Sequence, residues 1–75
     1  MPTVFDIIAG HRLREVRERR RLSRAELAGR LDAPVRLVIN LETGAASITA
    51  RRRLALAQAL RVRPQALLLV VGSPL

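Results

Sequence analysis

Arg36 and Asn40 stand four residues apart in the segment PVRLVINLE, and Arg51, Arg52 and Arg53 follow as an unbroken triplet. Side chains of these types make hydrogen bonds rather than covalent bonds. A guanidinium fork grips phosphate, or a guanine edge, through two parallel N–H groups. All 14 basic residues of the chain are arginine and only six acids oppose them, which gives a net charge of +8. A field of that sign draws polyanions, either nucleic acid or an acidic membrane surface. The preference for Arg over Lys also fits a GC-rich genome, but such a bias does not account for the net charge.

Enzymatic chemistry finds no support, because no nucleophile, base and orienting group converge in the pattern. There is no cysteine, hence no disulfide framework or thiolate site. His11 has no partner at metal-ligand spacing and reads as a surface histidine on the first helix. No metal or other cofactor is expected. The opening stretch, MPTVFDIIAG, lacks the basic leader and long apolar run of a signal peptide. The longest apolar run, Ala66 to Val71, is too short to span a bilayer. The expectation is a soluble, cytoplasmic chain with no membrane partner and no small-molecule substrate, of the bacterial or phage nucleoid-associated kind.

These side chains need a scaffold, and 75 residues make one small domain, 1–75, around one core. Apolar residues are 49% of the chain, yet Phe5 is the only aromatic among Phe, Trp and Tyr. The core must be aliphatic, which favours helix packing over a sheet sandwich. Periodicity predicts a first helix from Asp6 to about Arg20, with Ile7, Ile8, Leu13 and Val16 as its apolar stripe. Gly10 weakens the start of that helix, since glycine in a helix interior costs about 1 kcal/mol. A start at Gly10 or His11 is the alternative.

Ser23 with Glu26 three residues on is a capping box, so a second helix begins at Arg24, with Leu27, Ala28 and Leu31 inward. Pro34 suits the first position of a third helix, which runs to about Glu42 and is stopped by Gly44. Steps of about 100° place Val38 and Leu41 on its inner side, and Arg36, Ile39 and Asn40 opposite, with Val35 at the edge. Thr49 can cap a fourth helix through Leu60, with Leu54, Ala57 and Leu60 inward.

The first turn of that fourth helix carries Arg51, Arg52 and Arg53, three cations at the positive end of a helix dipole. Phosphate contact would offset the repulsion; solvated arginines are the plain alternative. Pro64 opens a fifth short helix to about Leu69. The run Leu67 to Val71 is apolar on every side, so Leu67, Leu69, Val70 and Val71 are expected at a dimer surface, as helix or as strand. A segment folded back over its own core is the other reading.

The matching residues Leu13-Arg14-Glu15-Val16-Arg17, Leu22-Ser23, Glu26-Leu27-Ala28, Val38, Leu41-Glu42-Thr43-Gly44, Ala57-Gln58-Ala59-Leu60, Val62 and Leu67-Leu68 fall without a gap. With these the chain resembles the lambda-repressor-like, or Cro/repressor (XRE), helix-turn-helix proteins. The resemblance implies a compact five-helix, all-α domain whose helix-turn-helix spans about 24–42, with a candidate strand or helix extension for dimerisation after it. It implies an ion pair of Arg17 with Glu42, phosphate contacts by Arg24 and Thr43, and base approach by Pro34, Val35, Arg36 and Asn40. In such a reading Arg36 prefers guanine, Asn40 adenine, and Val35 and Ile39 meet thymine methyls.

Three positions depart from the family pattern: Arg21 and Asp32 replace turn glycines, and Ile48 replaces a proline. Val35, Leu37 and Ile39 stand where the family carries polar residues. The function implied is a sequence-specific, double-stranded-DNA-binding transcriptional regulator, a dimeric repressor of a palindromic operator. Arg51 and Arg52 would add phosphate contacts. The competing function is an antitoxin or phage-type regulator whose main partner is another protein, with DNA binding for autoregulation.

Overall fold

In a computed structural model that describes residues 2–67, the chain is all-helical, with no strand among those residues. Four α-helices follow in order: α1 (Val4–Arg19), α2 (Arg24–Arg30), α3 (Val35–Thr43) and α4 (Ala50–Leu60). A 3-10 turn, Pro64–Leu67, stands where the sequence predicts a fifth helix. The expected extension and Leu69, Val70 and Val71 lie outside the described residues.

Local chemistry sets the helix starts. Ser23 and Glu26 form the capping box reciprocally: the Glu26 N–H donates to Ser23 Oγ at 3.0 Å and the Ser23 N–H to Glu26 Oε1 at 2.8 Å. A second box, absent from the sequence expectation, opens α1. The Asp6 N–H donates to Thr3 Oγ1 at 3.0 Å and the Thr3 N–H to Asp6 Oδ2 at 3.2 Å. It moves the start of α1 to Val4, ahead of the expected Asp6, and the helix runs through Gly10 without a break. Pro34 is the residue before α3 rather than its first helical position, with extended ψ of 150°.

Gly10 has a packing reason. A Cβ built there would collide with the carbonyl oxygen of Leu41 and stand 2.6 Å from that of Glu42. Gly44, at φ 85°, ends α3 and meets α1 as well: its Cβ would lie 2.9 Å from the Ile7 Cα. Two glycines thus let the α1 backbone cross the last turn of α3 in direct contact, a closeness no side chain permits.

Arg21, Asp32 and Arg61 all have positive φ, at 57°, 53° and 58°. The turns after α1 and α2 therefore keep the left-handed conformation although their residues are not glycine. Each is closed by the backbone pair of a Schellman motif, with Leu22 N–H to Arg17 O and Ala33 N–H to Ala28 O as the bonds that span five residues. Val62 N–H to Ala57 O repeats the pattern after α4.

The core is aliphatic. Leu13, Leu27, Val38, Leu41, Leu56 and Leu60 are fully buried, and Val16, Leu22, Ala28, Ala57, Ala59 and Leu67 surround them. In α4 Ala57 and Leu60 point inward as expected and Leu56 and Ala59 join them, whereas Leu54, expected inward, is exposed. Leu54 lies about 120° round the helix from the buried Leu60, and Leu56 only about 40°. Ile7 and Ile8, expected in the apolar stripe of α1, are also exposed, because the core begins at Leu13. Leu67, expected at a dimer surface, packs into the protein's own core.

Arginines fasten the elements end to end. Arg20 Nε donates to Leu60 O at 3.0 Å and Arg30 Nη1 to Ala59 O at 2.8 Å, so two cations sit on the last carbonyls of α4. Arg12 Nε holds Ala66 O at 3.0 Å. Sequence periodicity carries no signal of these staples, because each joins residues 29 or more positions apart.

Candidate nucleic-acid interface

Glu42, in the last full turn of α3, organises the site. Its carboxylate is almost fully buried and accepts from Arg17 Nε at 2.6 Å, Arg17 Nη2 at 3.2 Å and Arg24 Nε at 3.0 Å. Arg17 is buried too, and its Nη1 donates to Leu22 O at 2.7 Å. No buried side-chain polar atom is left without a partner among the described residues. One carboxylate thereby ties α1, the first residue of α2 and the end of α3 into one frame. Bidentate bonding fixes direction as well as distance.

The resemblance alone points Arg24 to phosphate, and the structure gives it a second commitment. Its Nε is taken by Glu42, while the side chain remains 38% exposed. Its terminal nitrogens are oriented by that bond. No sequence signal announces this link, since the two residues are 18 positions apart.

On α3, Val35 and Arg36 are exposed, Ile39 and Asn40 are half-buried, and Val38, Leu41 and Glu42 are buried. Pro34 is exposed beside them and has no N–H to offer. Leu37 is half-buried and packs on the core. The face opposite the core therefore carries one guanidinium, one carboxamide and a set of apolar side chains. Such a face can donate two hydrogen bonds to a base edge through Arg36 and both donate and accept through Asn40. Thr43 is exposed, and its hydroxyl donates to Asn40 O at 3.3 Å, so a phosphate would have to compete for that donor.

The α4 triplet divides. Arg51 is exposed and forms no hydrogen bond or ion pair among the described residues. Arg52 is exposed, its backbone N–H on the Thr49 hydroxyl at 3.2 Å and its Nη1 on Ser47 O at 3.0 Å. Arg53 turns toward α1, where it lines a groove with Phe5, Asp6, Ala9, Ile48 and Leu67. Asp6 itself is held below its ordinary pKa by the Thr3 backbone N–H, the Ser47 hydroxyl and the Thr3 hydroxyl. Glu26 is lowered in the same way by the Ser23 N–H and then its hydroxyl. Among the described residues no group of three His, Cys, Asp or Glu side chains could hold a metal ion, and no helix is long and apolar enough to cross a membrane.

Two short helices joined by a tight turn, the second braced by α1 and open on its outer face, define a helix-turn-helix, in which the second helix enters the major groove. A helix-turn-helix domain family matches residues 8–69. The chain belongs to that family, and its fold is the lambda-repressor-like one of DNA-binding transcription regulators. The crystal structure of the restriction-modification controller protein C.AhdI from Aeromonas hydrophila is similar, with 32% identity and a TM-score of 0.77 over 83% of this chain and 94% of that one. The clp gene regulator ClgR from C. glutamicum shares the fold at 18% identity and a TM-score of 0.81, covering 87% of this chain and 84% of the other. Among curated proteins none matches significantly.

Proposed function

We propose that residues 1–75 form a single DNA-binding domain, and that the protein is a homodimeric, sequence-specific repressor acting in the cytoplasm at a palindromic operator. The observation that carries this reading is the fixed presentation of α3: Glu42 is anchored from two other helices while Arg36 and Val35 face outward. Arg36 and Asn40 read base edges, assisted by Val35 and by the surface of Pro34. Arg24, Arg51, Arg52 and Thr43 hold phosphates. Arg17 and Glu42 serve the geometry rather than the contact. Leu69, Val70 and Val71 supply the dimer contact. Two copies of α3 would then enter successive major grooves about 34 Å apart on one face of the duplex.

Selection from randomised duplexes, read by sequencing, tests this directly. An enriched palindrome is the expected result, and affinity should fall steeply with salt as neutralised phosphates release counterions. No enrichment would overturn the reading. It would favour an antitoxin or phage-type regulator whose main partner is a protein, to which the apolar surface of Val35, 43% exposed, is also suited.

A further inference from the structure

Leu54 is the large apolar residue that α4 turns outward, 55% exposed. Gln58 follows one turn later on the same stripe, and Arg61 caps the end of the helix beyond it. Beside that stripe a groove of about 420 Å³ runs between α2 and α4, lined by Arg30, Leu31, Ala55, Gln58, Ala59 and Arg61. Leu31, Ala55 and Ala59 make part of the lining apolar, and both of its charges are positive. Arg30 is fixed there, because its Nη1 donates to Ala59 O at 2.8 Å. Arg61 is exposed, and its side chain makes no hydrogen bond or ion pair among the described residues. No acid lines the groove among those residues; Glu26, one turn back from Arg30 on α2, is committed to the Ser23 cap.

We propose that the α2–α4 groove docks an acidic, amphipathic segment of a partner protein, with carboxylates on Arg30 and Arg61 and an apolar side chain over Leu54. Charge complementarity decides the occupant. A second copy of this chain is poorly suited, because five of its six acids are already engaged. Asp6 and Glu26 close capping boxes, Glu42 holds Arg17 and Arg24, and Glu15 and Glu18 pair with arginines of α1. Nucleic-acid phosphate would answer the two cations but offers nothing apolar to Leu54 and Leu31. A polypeptide supplies both, since a guanidinium fork takes a carboxylate through two parallel bonds while a neighbouring aliphatic side chain covers the leucine. This docking does not depend on base reading by α3.

The full chain, immobilised, is offered a randomised peptide library displayed on phage, and an enriched peptide is then synthesised and titrated against it. Enriched sequences should place Asp or Glu around an apolar residue, and NMR should show the amides of Arg30, Leu31, Gln58 and Arg61 shifting on binding. Arg61→Gly should weaken that peptide about tenfold. Glycine suits the left-handed conformation at this position, so the loss cannot come from unfolding. Leu54→Ala should also weaken it. Arg14→Gln, which removes one exposed charge from α1, should leave affinity within about twofold at physiological salt, where distant charges are screened. Equal losses in Arg14→Gln and Arg61→Gly would reduce the effect to general charge attraction and overturn the proposal. So would enrichment without acids, or shifts confined to other surfaces. Random-sequence duplex DNA moving the groove amides where no peptide does would assign the groove to phosphate instead. Failure of the operator selection leaves all of these readouts unchanged.

Discussion

Gly10 lies directly on the backbone of Glu42: a Cβ at Gly10 would stand only 2.6 Å from the Glu42 carbonyl oxygen. The close crossing brings Arg17, two turns further along α1, to the Glu42 carboxylate. A helix-weakening residue is thus what seats the helix that presents the reading face.

Gly10→Ala separates local propensity from packing. Propensity alone would raise stability by about 1 kcal/mol. Overpacking against rigid backbone should instead lower it by about 1–3 kcal/mol. Urea denaturation followed by circular dichroism gives the sign, and an increase in the midpoint would contradict the close crossing.

The two arginines on Glu42 should be unequal. Glu42→Gln leaves the buried Arg17 guanidinium without its counter-charge, at an expected cost of about 3–5 kcal/mol. Arg24→Ala leaves the Arg17 pair intact and, because Arg24 is more than a third exposed, should cost no more than about 1 kcal/mol. Equal losses in denaturation would refute this division.

Left-handed Arg61 offers a stabilising substitution. An L-residue in this conformation costs about 1–2 kcal/mol relative to glycine, partly offset by the greater freedom of glycine in the unfolded chain. Arg61→Gly should therefore raise the urea midpoint by the equivalent of about 0.5–1 kcal/mol. Arg61 is exposed and its side chain is not among the staples, so little else is lost.

Acid should release the two capping boxes. The Asp6 and Glu26 carboxyls have folded pKa values below their ordinary ones. Their contribution is complete above the ordinary carboxylate range and disappears as pH falls through the lowered folded values, because the unfolded chain binds protons more readily. Ser23→Ala should cost about 1 kcal/mol at neutral pH. The deficit relative to the unsubstituted chain should shrink in acid; a deficit independent of pH would show that the Glu26 charge is not coupled to the cap.

At the proposed DNA surface, Arg36→Ala should relax preference at one base pair by about 1–3 kcal/mol. Arg51→Ala should weaken binding to all sequences alike and reduce the salt slope by about one phosphate contact. Competition binding at two salt concentrations distinguishes the patterns, and identical effects of the two substitutions would refute the assignment.

The sequence by itself determined what depends on residues three or four apart. The Ser23–Glu26 box, the Thr49 cap, the Gly44 stop and the aliphatic inner sides of α2 and α3 are local, because the hydrogen bonds and periodicity that define them close within one turn. The family pattern added the pairing of Arg17 with Glu42, which no local rule contains. Tertiary structure alone decided the rest. Gly10 as a crossing point, Leu56 rather than Leu54 in the core, and the burial of Leu67 all depend on where a second element lies. The arginines show the reason most clearly: Arg24 meets Glu42 across 18 positions, Arg30 meets Ala59 across 29, Arg20 meets Leu60 across 40 and Arg12 meets Ala66 across 54. No local spacing announces any of these contacts. Only the folded chain brings carbonyls and a carboxylate within their reach.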